Sequence, residues 1–141
     1  SEGERIRGLR IVEEFIKKGS ERVKKEDVEK VVKNEEVIKN RVEELEGKLQ
    51  KGIKEDLSLL ISLIKDYWND EYKVVPWRTI ALIVFALLYL LNPLDLIPDL
   101  SLPFGLFDDL AVLGFVLASV KDDLEHYKRW KTSKGEKKEG T

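Results

Sequence analysis

The chain of 141 residues has no cysteine, no methionine and a single histidine. Without cysteine there is no disulfide, thiolate nucleophile, zinc ribbon or iron–sulfur cluster. Surplus positive charge is missing too. Twenty-five Lys and Arg stand against 27 Asp and Glu, giving a net charge of −2 and a pI near 5.6. The basic footprint that nucleic acid demands is therefore absent. No β-type alternation is long enough for a strand, and no Gly/Ser-rich linker separates two domains. The opening "SEGERIRG" lacks the basic-then-apolar order of a signal peptide, so a cytoplasmic location is expected, with membrane association as the alternative. The most informative gap is local. Residues 79–120 carry no lysine or arginine and four aspartates, whereas residues 1–78 carry 18 basic and 18 acidic side chains.

Helical periodicity fills most of the rest. Ile6, Leu9, Val12, Phe15 and Ile16 share one helical face, and Gly19 reads as the stop that follows it. Val28, Val31, Ile38, Val42, Leu45 and Leu49 continue in a heptad-like register with a break expected at Asn34. Ile53, Leu57, Leu60, Ile61, Ile64 and Trp68 mark a third amphipathic stretch with Lys54, Glu55, Lys65 and Asp66 on its wet side. Pro76 opens the next helix, and "TIALIVFALLYLL", residues 79–91, is apolar all round until Pro93 ends it. A last helix begins near Asp108, is apolar to Val120, and turns amphipathic through Leu124, Tyr127 and Trp130. This pattern predicts an all-α fold, a single bundle of about five helices around a central apolar hairpin. Residues 1–131 form the domain, with charged lead-in helices over 1–73 and the hairpin core over 74–131. Residues 132–141 are expected to be a disordered tail.

Three stretches, "EYKVVPWRTI", "YLLNPLDLIPD" and "GLFDDLAVLGFVL", resemble the YkvA-like domain of unknown function. The spacing N–P–x–D–x–I–P–D, followed nine residues later by D–D, carries most of the likeness. It covers roughly residues 15 to 130. One departure is that Leu102 stands where the family usually has proline, with Pro103 one position on. The resemblance implies a helical fold with a tight hairpin and supplies no activity, although some relatives are expected to be membrane proteins.

The candidate chemistry lies in Asp95, Asp99, Asp108 and Asp109, which surround the hairpin turn. Carboxylates gathered in an apolar setting must be hydrogen-bonded, protonated, paired or bound to a cation. Helix capping and proline-flanked turns use Asp for its acceptor oxygens, worth about 0.5–2 kcal/mol at a helix start. Arg78, Lys121 or a base from the front helices would complete the neutralisation. The rival reading is a magnesium or calcium site made by the same four residues, although their spacing is not that of a calcium loop. A catalytic carboxylate pair lacks a phosphate loop, a nucleophile or a substrate clamp beside it. His126 lies in a charged segment and reads as a surface or half-buried side chain. No serine sits on a nucleophile turn. A helix-turn-helix over 27–49 is excluded by the acidity of "EEVIKNRVEELEG".

Trp68, Tyr72, Trp77 and Tyr89 flank the apolar block, as core fillers or, beside Lys73 and Arg78, as an interfacial belt. Thirteen residues span about 20 Å as a helix, short of a hydrocarbon layer of roughly 30 Å. Extension through Val74 and Leu94 would reach it. The second apolar segment is weaker, because two aspartates near mid-bilayer would cost about 5–7 kcal/mol. Three amphipathic helices in need of a partner favour a buried hairpin. The functional expectation is a non-enzymatic interaction or scaffold domain with an unidentified protein partner or a membrane surface, and no cofactor. Its rivals are the divalent-cation protein and an integral membrane hairpin.

Overall fold

A computed structural model describes residues 1–45, 52–92 and 109–139. These residues form seven α-helices and no strand. In chain order they are α1 (Glu2–Glu21), α2 (Lys25–Lys33), α3 (Glu35–Glu44), α4 (Ile53–Trp68), α5 (Trp77–Leu91), α6 (Asp109–Ser119) and α7 (Lys121–Glu139). The all-α class agrees with the periodicity. Two breaks turn the expected five helices into seven. At Asn34 the side-chain amide donates to the Lys30 carbonyl at 2.7 Å, closing α2, while the Asn34 carbonyl accepts from Ile38 to open α3. Val120 interrupts α6 and α7 for one residue, with Val120 N–H donating to Val116 and its carbonyl accepting from Leu124. The final helix also continues past residue 131, where the sequence predicts a disordered tail. Its lysines and glutamates are good helix formers, Thr132 donates to Lys128 at 3.0 Å, and Lys134 pairs with Glu71 of the α4–α5 loop at 3.3 Å.

α5 is the axis of the bundle. Every side chain from Thr79 to Leu90 is buried, and α1, α2, α3, α4 and α6 all pack against it. An all-round apolar helix requires that cover, and the amphipathic front helices supply it. Val12 and Ile16 come from α1, Val28 and Val31 from α2, Ile38 and Val42 from α3, and Leu57, Leu60, Ile61 and Ile64 from α4. Pro76 precedes α5 with extended backbone, and its carbonyl accepts from Thr79 and Ile80.

Gly19 corrects the sequence expectation. It lies inside α1, which ends at Glu21, and a Cβ there would collide with Cε2, Cζ and Cδ2 of Phe85. The glycine is a slot for a ring, not a helix stop. Phe85 fills it while meeting Phe15 edge-on at 5.4 Å, and Phe15 also meets Tyr89 at 5.9 Å. These contacts run α1 opposite to α5. Residues 1–11 are consequently exposed apart from Gly8, including Ile6 and Leu9, which the periodicity placed on the core face.

The end of α4 is set by backbone chemistry. Asp70 adopts φ 61 in the left-handed region, Glu71 N–H donates to the Asp66 carbonyl at 2.8 Å, and Asp70 N–H donates to that of Tyr67 at 3.2 Å. This is a Schellman closure with aspartate where glycine is usual. It reverses the chain and delivers Tyr72 into the core.

Candidate functional site

The polar groups that the structure brings together lie on the seams of α4 and α5 with α7. On α4, Ser62 and Asp66 are one helical turn apart and face α7. Tyr127 Oη donates to Asp66 Oδ2 at 2.5 Å and lies 2.7 Å from Ser62 Oγ. Lys131, one turn beyond Tyr127, donates to Ser62 Oγ and to Tyr127 Oη. Burial, together with the neighbouring Asp66 carboxylate, pushes the Tyr127 phenol far above its ordinary value. Tyr127 thus serves as a neutral donor. Its ring packs edge-on against Tyr72 at 5.0 Å and stacks with Trp130 at 5.8 Å. Burial, helped by Asp123, also raises the Tyr72 phenol.

A second junction lies at the start of α5. Thr79, a buried polar residue, donates through Oγ1 to Asp123 Oδ2 of α7 at 2.5 Å. Since Asp123 follows the end of α6 closely, this bond fixes α6 antiparallel to α5. Cavities flank these seams. One of about 500 Å³ between α4 and α7 is lined by Lys54, Asp56, Ser58, Ser62, Lys128 and Lys131. Burial raises the Asp56 carboxyl, an effect opposed by Lys128. One of about 410 Å³ gathers Tyr72, Val74, Val75, Asp123, His126 and Trp130. Chemically the seams are hydrogen-bonded locks. Asp66, Asp123, Ser62 and Tyr127 all spend their polar atoms on neighbouring helices.

Asp95, Asp99 and Asp108 lie outside the described residues, and so does the side chain of Asp109, the first residue of α6. Among the described residues no group of three or more His, Cys, Asp or Glu could hold a metal ion. Arg78 and Lys121, the cations considered for neutralising those aspartates, sit at the far ends of α5 and α6 from Asn92 and Asp109. His126 is exposed, as expected, with Nδ1 3.5 Å from Arg129. Tyr72 and Tyr89 are core fillers, whereas Trp68 and Trp77 are exposed. Sequence reading missed the Ser62–Asp66–Tyr127–Lys131 set, and it placed Asp66 on the wet side. The available signal was a pair of i, i+4 polar residues on α4 matched by another i, i+4 pair on α7.

Fold and seams together define a small all-α domain built around α5, buried from Thr79 to Leu90, with the half-buried α6 packed antiparallel beside it. The family profile described as "Protein of unknown function (DUF1232)" matches residues 79–115, from the Thr79 junction through most of α6. Over 87 residues the chain is 33% identical to the "Uncharacterized membrane protein YkvA" of Bacillus subtilis (strain 168), a match spanning 62% of this chain and 82% of that protein. The chain belongs to this YkvA-like family. No solved structure matches it.

Proposed function

We propose that this chain is a non-enzymatic helical domain that works against a membrane surface without sending its apolar hairpin helix into the lipid. The burial of α5 carries this reading. Its twelve consecutive buried residues face the protein's own helices, so the longest apolar segment has no surface left for lipid. Among the described residues no helix is long and apolar enough to cross a membrane. The relative's description as a membrane protein is then reconciled by attachment through the outside of the bundle. A scaffold role fits polar groups engaged in holding helices together rather than gathered in a reactive cleft. The test is flotation with phospholipid vesicles of the full chain, purified without detergent. Protein that is monodisperse without detergent and rises with vesicles is the expected result. Protein that can be extracted only with detergent would sink this reading in favour of an integral hairpin. Soluble protein that never floats would remove the membrane from its function.

A further inference from the structure

Resting on that reading, we infer that the α4–α5 end of the bundle, residues 68–78, is the face that meets the bilayer. Three large apolar side chains are exposed within this one stretch: Trp68 at 37%, Trp77 at 41% and Val74 at 82%. All three surround the closure that reverses the chain at Asp70, so they share an end of the molecule. Neither indole N–H is used by the described residues, which leaves each tryptophan an apolar body with a free polar edge. That combination suits the zone between headgroups and acyl chains.

The surrounding charges fit the same occupant. Lys73 is held 3.9 Å from the Tyr67 ring centroid and 3.0 Å from Asp70. The acids at this end are largely engaged. Asp70 binds Lys73, Glu71 binds Lys134 and Asp123 accepts from Thr79. Arg78 and Lys121 make no ion pair among the described residues, and Thr79–Asp123 bonding brings the starts of α5 and α7 together. Free cations beside exposed indoles complement lipid phosphates, with Asp122 and Glu21 as the opposing acids. The exposed half of α1 competes as a docking face, since Ile6 and Leu9 are 49% and 59% exposed. It offers no aromatic side chain and lies toward the opposite end of α5.

Flotation on phosphatidylcholine–phosphatidylglycerol vesicles separates the faces. The variants are Val74→Asp with Trp77→Ser, and Ile6→Glu with Leu9→Glu, each first checked for an unchanged melting temperature. All four sites are exposed, so folding should survive. The inference expects the first pair to lower partitioning by about tenfold or more and the second pair to leave it within about twofold. If wild type floats and the Val74/Trp77 variant floats equally, the inference is overturned while the membrane-surface reading stands. Loss confined to the Ile6/Leu9 variant overturns it too and moves the contact to α1. If wild type itself stays at the bottom, both the inference and the reading beneath it fall.

Discussion

Replacing Gly19 by alanine tests the packing account most directly, because two effects of known size oppose each other there. In an exposed helix interior, Gly→Ala stabilises by about 0.8–1 kcal/mol. At Gly19 the new methyl would lie 2.5 and 2.6 Å from Cζ and Cδ2 of Phe85, and closer still to Cε2. Ordinary carbon contacts begin at about 3.5 Å, so the ring would need to retreat by more than about 1 Å. It cannot swing into solvent, being 2% exposed and backed by Phe15. Overpacking of this kind costs about 1–3 kcal/mol, which outweighs the propensity gain over most of that range. The expected net loss is up to about 2 kcal/mol, or a fall in Tm of roughly 3–4 °C per kcal/mol for a domain of this size. Gly114 is the control. It lies in α6 with nothing within 4 Å of where a Cβ would stand, and its alanine variant should gain about 0.5–1 kcal/mol. Equilibrium urea unfolding of both variants, with Gly19→Ala repeated in a Phe85→Leu background, measures the coupling between the two positions. If Gly19→Ala is as stabilising as Gly114→Ala and additive with Phe85→Leu, the slot does not exist.

Tyr127→Phe should cost about 1–3 kcal/mol, since Asp66 and Ser62 lose their shared partner inside a half-buried seam; chemical denaturation reads this directly. The same phenol gives a pH signature. Its folded value lies above the unfolded 10.0, so the neutral form is favoured on folding, and that stability is present below pH 10 and lost as pH rises through and beyond it. Tyrosinate absorbance should therefore show part of the signal from the four tyrosines appearing only with alkaline unfolding, and a Tyr127→Phe chain should lose stability less steeply above pH 10. Asp70→Gly should raise Tm slightly, by up to about 1 kcal/mol in stability, because φ 61 suits glycine; a fall would mean that the exposed Lys73–Asp70 pair outweighs the strain. Capping by Asp99 and Asp108 predicts that alanine at either costs about 0.5–2 kcal/mol and that magnesium or calcium leaves Tm unchanged. An ion at about 100 times its dissociation constant would instead add about 2.7 kcal/mol.

The hydrophobic skeleton was legible because it is periodic. Val12 and Ile16, Val28 and Val31, Ile38 and Val42, and Leu57, Leu60, Ile61 and Ile64 all bury the faces that spacing assigned to them, whereas Ile53 is half-buried and Trp68 exposed. The uniform apolarity of residues 79–91 likewise announced a helix with no wet side. What escaped notice depends on distance in space, not on period. Gly19 looks like a stop until Phe85, 66 positions away, is placed beside it. Asp66 falls on the solvent side of its own wheel and becomes a seam residue only when Tyr127 arrives from α7. Ile6 and Leu9 obey the pattern of their helix yet lie beyond its contact with α5. A helical wheel states which residues share a face. It does not state how far the neighbouring helix extends.

The same geometry bears on the aspartate question. Arg78 is about 20 Å along α5 from its C-terminal end, counting about 1.5 Å per residue, and Lys121 is a comparable distance from the start of α6. Screening at physiological salt decays over about 8 Å for exposed charges, so from there neither cation acts on the chain at Asn92 or at the start of α6. Because α1 runs opposite to α5, Arg5, Arg7 and Arg10 lie toward the Asn92 end. The α4–α5 end of the bundle holds Trp68, Val74 and Trp77 with Arg78 and Lys121, and suits a phosphate-rich surface. A membrane contact at that end would leave Asn92 about a helix length from lipid phosphate, and the antiparallel arrangement secured by the Thr79–Asp123 bond sets the start of α6 at a similar remove.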